Sequence, residues 1–268
     1  MSLMVCRQEP VKNPYYIEAL GVRIWSSAEL SYVICHNPLF VMDGFVDEHL
    51  TAFIREELDM EALAAKMDKW MGKRGDSDQM LFLILSECGY CSSSEQNQFR
   101  HEVAAFRKLP PAEYARQKGN DLFLRKQYGK AASIYEKILE LPRGGMVTDE
   151  LLEKVWTSLG CTQARMFQFS KAWNSFSKAY ECRKSEEVLK RMYYLSRTGE
   201  GIAGRNYHLP LVMQKAKWEK EIEEAGERAK SSEGILKLEG LFEQEPDKRK
   251  AGAAKLVKQW KQEYRAMV

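Results

Sequence analysis

Two stretches of this chain carry the same pattern of small and aromatic residues, and that duplication restricts the fold more than any other feature. Aligned on Gly119 and Gly160, the copies agree at Tyr128 and Phe169, at Ala131 and Ala172, and at Tyr135 and Phe176. Ala115 and Trp156 hold the matching position one helical turn ahead of the glycines. Each copy reads as two antiparallel helices. Small residues at the glycine and alanine positions let the helices approach closely, and the aromatics fill the space around them. The glycines stand 41 residues apart, and Gly144 to Glu150, turn-like in composition, fits as a lengthened loop between the copies.

The second copy, Trp156-x2-Leu159-Gly160 followed by Ala172-x3-Phe176-x2-Ala179, resembles the tetratricopeptide repeat (TPR). The first reads Lys118-Gly119-Asn120, then Ala131-x3-Tyr135, and ends Ile138-Leu139-Glu140-Leu141-Pro142, as many such repeats do. That repeat has a period of about 34 residues, so the loop carries seven additional ones. The resemblance covers Pro111 to Lys184. Ala115 in place of Trp, Leu122 and Gln163 in place of Tyr, and the missing Pro after Ala179 depart from it.

What the resemblance implies is a TPR-like α-α superhelix with additional helices at both ends. The first helix of each pair would line an inner groove that holds an extended peptide or a partner helix. Transferred by position, the peptide-binding residues are Arg116, Asn120 and Phe123 from the first unit and Thr157, Cys161 and Ala164 from the second. In the TPR subclass that clamps C-terminal carboxylates, a Lys precedes the Asn of Lys-Gly-Asn by four residues; here Arg116 takes its place and Asn120 matches. A guanidinium and an amide one turn apart can both donate to one carboxylate. Ser158 stands where that subclass has a second Asn, so the match is partial.

The remaining chain also reads as all-α, giving three regions: residues 1–109, a repeat region at 110–198 with units at about 112–142 and 153–184 plus a following helix, and 199–268. In the first, Ser27 is placed to cap a helix from Ala28 to about His36, Val46 to Leu58 has helical periodicity, and Asp59 is placed to cap the next helix through Leu63, Met67, Trp70 and Met71. The run Met80 to Leu85, rich in Leu, Met and Phe, favours helix over strand. Ser92-Ser93-Ser94-Glu95 is a capping box. Beyond the repeats, Ser185 opens a helix with Val188, Met192 and Leu195 on one side, and Gly199 to Gly204 reads as a linker. Three charged helices follow, expected to pack on the repeats or on each other. The last carries Ala253, Leu256, Val257, Trp260 and Tyr264 on its apolar face.

Charge and chemistry narrow the function. Residues 1–110 hold 11 Lys and Arg against 16 Asp and Glu, and the remainder 30 against 22. No apolar run approaches the roughly 18 residues of a membrane helix, and no secretory signal opens the chain, so a cytoplasmic protein without membrane contact is expected. Six cysteines scattered over a helical chain read as reduced thiols. Cys88-Gly89-Tyr90-Cys91 has the spacing of a thioredoxin-like redox site, but no strand–helix alternation surrounds it. Four histidines, none suitably placed, support neither a metal nor a catalytic triad, and no cofactor is expected. Acids interspersed in the basic tail argue against nucleic acid. The expected function is a non-catalytic adaptor that binds a protein or peptide. The alternative is a peptide-responsive regulator whose helices at 46–58 and 60–71 form a DNA-binding helix-turn-helix, against the acidic charge of that region.

Overall fold

A computed structural model of the chain describes residues 11–72, 76–142, 144, 147–198 and 215–268. Among them are fourteen helices and one two-stranded hairpin, in two compact units, residues 1–110 and 111–268. The linker expected at Gly199 to Gly204 lies outside the described residues.

The N-terminal unit opens with an antiparallel hairpin, β1 (Tyr15–Ile17) and β2 (Val22–Ile24), with Tyr15 opposite Ile24. This corrects the all-helical reading of the segment: strands of three residues are too short for alternation to register. Gly21 supplies the left-handed residue in the turn, at φ +70°. There follow α1 (Ser27–His36), α2 (Pro38–Val41), α3 (Glu48–Glu56), α4 (Glu61–Gly72), α5 (Ser77–Cys88) and α6 (Ser93–Arg107). The run Met80 to Leu85 lies within α5, as its composition predicts. Leu30, Ile34, Leu50, Ile54, Leu81 and Ile84 are fully buried and form the centre of this core.

Helix starts follow local chemistry closely. The Ser92 hydroxyl accepts from the Glu95 amide at 3.3 Å while the Glu95 carboxylate accepts from the Ser92 amide at 2.7 Å, completing the capping box. Two starts differ from expectation. Ser26 rather than Ser27 caps α1, its hydroxyl accepting from the Glu29 amide at 3.1 Å. Asp59 adopts a left-handed conformation at φ 53°, and the carbonyl of Met60 takes the first bonds, from the amides of Leu63 and Ala64.

The C-terminal unit comprises α7 (Pro111–Leu124), α8 (Tyr128–Leu139), α9 (Asp149–Arg165), α10 (Phe169–Cys182), α11 (Glu186–Thr198), α12 (Lys215–Lys230), α13 (Glu233–Phe242) and α14 (Pro246–Met267). The duplicated pattern forms the packed pairs α7–α8 and α9–α10. Gly119 faces the Tyr135 ring and Gly160 the Phe176 ring; a Cβ added at either glycine would lie 2.7 or 2.6 Å from a ring carbon. The turns inside the pairs match as well. Lys126 and Phe167 are both left-handed, at φ 61° and 60°. The Gln127 amide donates to the Leu122 carbonyl and the Gln168 amide to the Gln163 carbonyl, each at 2.9 Å.

Helix α11 continues the stack, burying Val188, Met192 and Leu195 against Ala172, Phe176 and Ala179 of α10. Its opposite side, Leu189 and Tyr193, encloses Trp218 of α12, so α11 and α12 are a third packed pair. The end of α14 returns to the first two pairs, where the Tyr264 hydroxyl approaches the Met166 carbonyl at 3.5 Å and Val268 lies against Gly129. Its apolar face is otherwise less covered than the sequence predicts: Val257, Trp260 and Tyr264 are 43, 46 and 42% exposed.

Candidate functional site

Stacking the pairs places α7, α9 and α11 side by side, and together with Tyr135 of α8 and Phe169 and Phe176 of α10 they line one open cavity of about 670 Å³. That size suits a ligand site. Tyr135 and Phe176, the rings packed on the two glycines, are part of its lining. No residue of α12, α13 or α14 lines it.

Its polar groups are arranged around Asn120. The amide oxygen accepts from the Tyr135 hydroxyl at 2.7 Å and from the Ser158 hydroxyl at 3.4 Å, which leaves the amide nitrogen as the donor end. Burial pushes the Tyr135 phenol up to about 12, so it remains a protonated donor. On the facing helix, Arg191 donates from Nη1 to the Cys161 sulfur at 3.0 Å and from Nη2 to Glu187 at 2.9 Å. Burial raises the Cys161 thiol pKa, with the Arg191 guanidinium opposing it. The third nitrogen of that guanidinium, Nε, is buried without a hydrogen-bond partner, and so is the Thr157 hydroxyl. Leaving such groups unpaired costs about 1–3 kcal/mol each.

Two guanidiniums, Arg165 and Arg191, belong to the lining, and no carboxylate does. Around them lie Phe123, Leu124, Phe169 and Tyr194. Leu124 is 77% exposed, and Phe167, at the left-handed turn, is 72% exposed with its ring edge-on to Phe169 at 6.1 Å. A bulky residue held both exposed and in a strained conformation gains nothing in folding from either property. The cavity is thus cationic and apolar, with unpaired buried donors.

Five of the six residues expected from the sequence, Asn120, Phe123, Thr157, Cys161 and Ala164, line this one cavity. Arg116 does not. Its guanidinium makes two bonds to Glu113 of its own helix, at 2.6 and 3.0 Å. The lining residues missed by sequence reasoning include three on α11, and a signal for those exists. Counting the repeat's usual period of about 34 residues onward from Thr157 and Cys161 reaches Arg191 and Leu195, both in the lining. The same count from Gly160 reaches Tyr194, so the third pair lacks the small residue at its contact; the Tyr194 hydroxyl bonds Glu221 of α12 instead.

In the N-terminal unit, the helices considered for DNA binding have basic side chains engaged within the fold: Arg55 with Asp68 and Glu61, and Lys66 with Glu87. Among the described residues no group of three or more His, Cys, Asp or Glu side chains converges as a metal site, and no helix is long and apolar enough to cross a membrane. Cys88 closes α5, whereas Cys91 is buried against Cys35 of α1. Compared with known proteins, the chain matches no family model, no curated protein and no solved structure.

Proposed function

We propose that this protein is a non-catalytic adaptor of the tetratricopeptide type, whose cavity between α7, α9 and α11 takes an extended peptide bearing a carboxylate. The observation that carries the reading is the buried, unpartnered Nε of Arg191 in a lining with a second arginine and no acid. A carboxylate is the group that satisfies it, since it accepts charge-assisted bonds from a guanidinium and from the neighbouring Asn120 amide and Thr157 hydroxyl. Phe123, Leu124 and Phe169 supply the apolar surface against which the peptide's side chains would rest. In this reading Arg191, not Arg116, is the clamp residue: both are paired with an acid of their own helix, but Arg191 lines the cavity and keeps its Nε unbonded, whereas Arg116 lies outside the lining with its Nε bonded to Glu113.

The test is fluorescence anisotropy with labelled peptides selected on the full-length protein from a library with free C-terminal carboxylates. A charge-assisted bond contributes about 1.5–3 kcal/mol, so Arg191→Ala should weaken binding roughly 10- to 100-fold. Arg116→Ala should change it less than about threefold, because that side chain contacts no ligand in this arrangement. Equal losses in the two variants would remove the assignment.

A further inference from the structure

The two thiols of Cys35 and Cys91 meet inside the N-terminal unit although 56 residues separate them in sequence, with their sulfurs 2.7 Å apart. Cys35 lies near the end of α1 and is half-buried. Cys91 lies in the short turn between α5 and α6 and is 6% exposed. Its backbone is held on both sides. Gly89 closes α5 in a left-handed conformation, the capping box fixes Ser92, and the Gln96 side chain donates to the Cys91 carbonyl at 3.0 Å. The Cys91 sulfur also lies 3.7 Å from the Ser31 carbonyl, one turn before Cys35 on α1. Helix α1 packs on both α5 and α6. The fold therefore holds the two sulfurs together through three helices, close to the bonding distance of a disulfide, about 2.05 Å.

We propose that Cys35 and Cys91 are an oxidation site, which a hydroperoxide converts to an intramolecular disulfide tying α1 to the α5–α6 turn. The pairing differs from the one the Cys-x-x-Cys spacing suggests, since the Cys91 sulfur meets that of Cys35. Cys35, the more accessible thiol, attacks the peroxide as its thiolate; the oxygen–oxygen bond breaks, Cys35 becomes a sulfenic acid, and hydroxide leaves to be protonated to water. The Cys91 sulfur then attacks the Cys35 sulfur, the sulfur–oxygen bond breaks, and a second water departs. Two thiols and one hydrogen peroxide give one disulfide and two waters, with two electrons passing from sulfur to peroxide. At rest the pair is protonated: burial, the bond to Cys91 and the carboxylates Glu95 and Glu102 of α6 all raise the Cys35 pKa. Such a pair answers sustained oxidant, since only the thiolate reacts.

The experiment uses the full-length protein, reduced, desalted and exposed to hydrogen peroxide, then alkylated and digested without reductant for peptide mapping by mass spectrometry. The expected product is a monomer lighter by the mass of two hydrogens. Its map should hold a peptide joining Cys35 to Cys91, which dithiothreitol removes. Cys88→Ser should give the same cross-link. Cys35→Ser should give none, with circular dichroism confirming its fold. The wild-type map alone is decisive should that variant fail to fold. A Cys88–Cys91 link, or alkylation of Cys35 and Cys91 at an exposure that oxidises other thiols of the protein, would overturn the proposal.

Discussion

Gly160 and Gly226 are both helical, yet substituting alanine at each should move stability in opposite directions. At Gly160 the new methyl would lie 2.6 Å from the Phe176 ring, which is 3% exposed and belongs to the buried cluster with Ala172 and Met192. Overpacking costs about 1–3 kcal/mol and exceeds the gain of about 1 kcal/mol from replacing glycine in a helix. Gly160→Ala should therefore lower the unfolding free energy by up to about 2 kcal/mol. Gly226 has nothing within 4 Å of an added Cβ, so Gly226→Ala should raise it by about 0.5–1 kcal/mol. Urea unfolding followed by circular dichroism measures both. At this scale the sequence was informative wherever a small residue faced an aromatic at fixed spacing. At Arg116 periodicity gave the helix face but not the pair with Glu113, three residues earlier, which engages the side chain outside the cavity lining.

That pair gives the element scale a pH-dependent test. The Arg116 hydrogen bonds, followed by its charge, lower the Glu113 pKa. A carboxylate with a depressed folded-state pKa contributes stability that is complete above its unfolded value and is lost as pH falls through the folded one. Removing Arg116 should thus cost about 0.5–1 kcal/mol near pH 7 and almost nothing below the usual carboxylate range, as read by unfolding Arg116→Ala and wild type at both pH values. Element boundaries were legible where caps decide them, as at Ser92. They slipped by a residue where two serines or an acid and a left-handed turn compete, as at Ser26 and Asp59. The hairpin was missed because its strands are three residues each, although Gly21 before Val22-Arg23-Ile24 was a usable sign. The uncovered face of α14 was illegible, since periodicity reports that a face is apolar and not whether anything covers it.

In the molecule as a whole, the all-helical class was legible from helical periodicity and caps and the two packed pairs from the aligned copies, whereas α11, the third wall of the cavity, belongs to no clear copy. Arg191, Tyr194 and Leu195 come from α11, whose position depends on Trp218 packing against Leu189 and Tyr193. Trp218→Ala should cost about 3–5 kcal/mol and weaken peptide binding without removing any lining residue, by loosening α12 from α11. Titrating the same labelled peptide into this variant checks that coupling; unchanged affinity would mean that α11 holds its place without α12. The central claim is that Arg191 supplies the charge recognised by a ligand carboxylate. Its most direct measurement compares one selected peptide with a free C-terminus and with an amidated C-terminus, on wild type and on Arg191→Ala, by isothermal titration calorimetry. The account predicts that amidation costs wild type at least about tenfold and costs Arg191→Ala little. An amidation penalty of equal size in both proteins would contradict it.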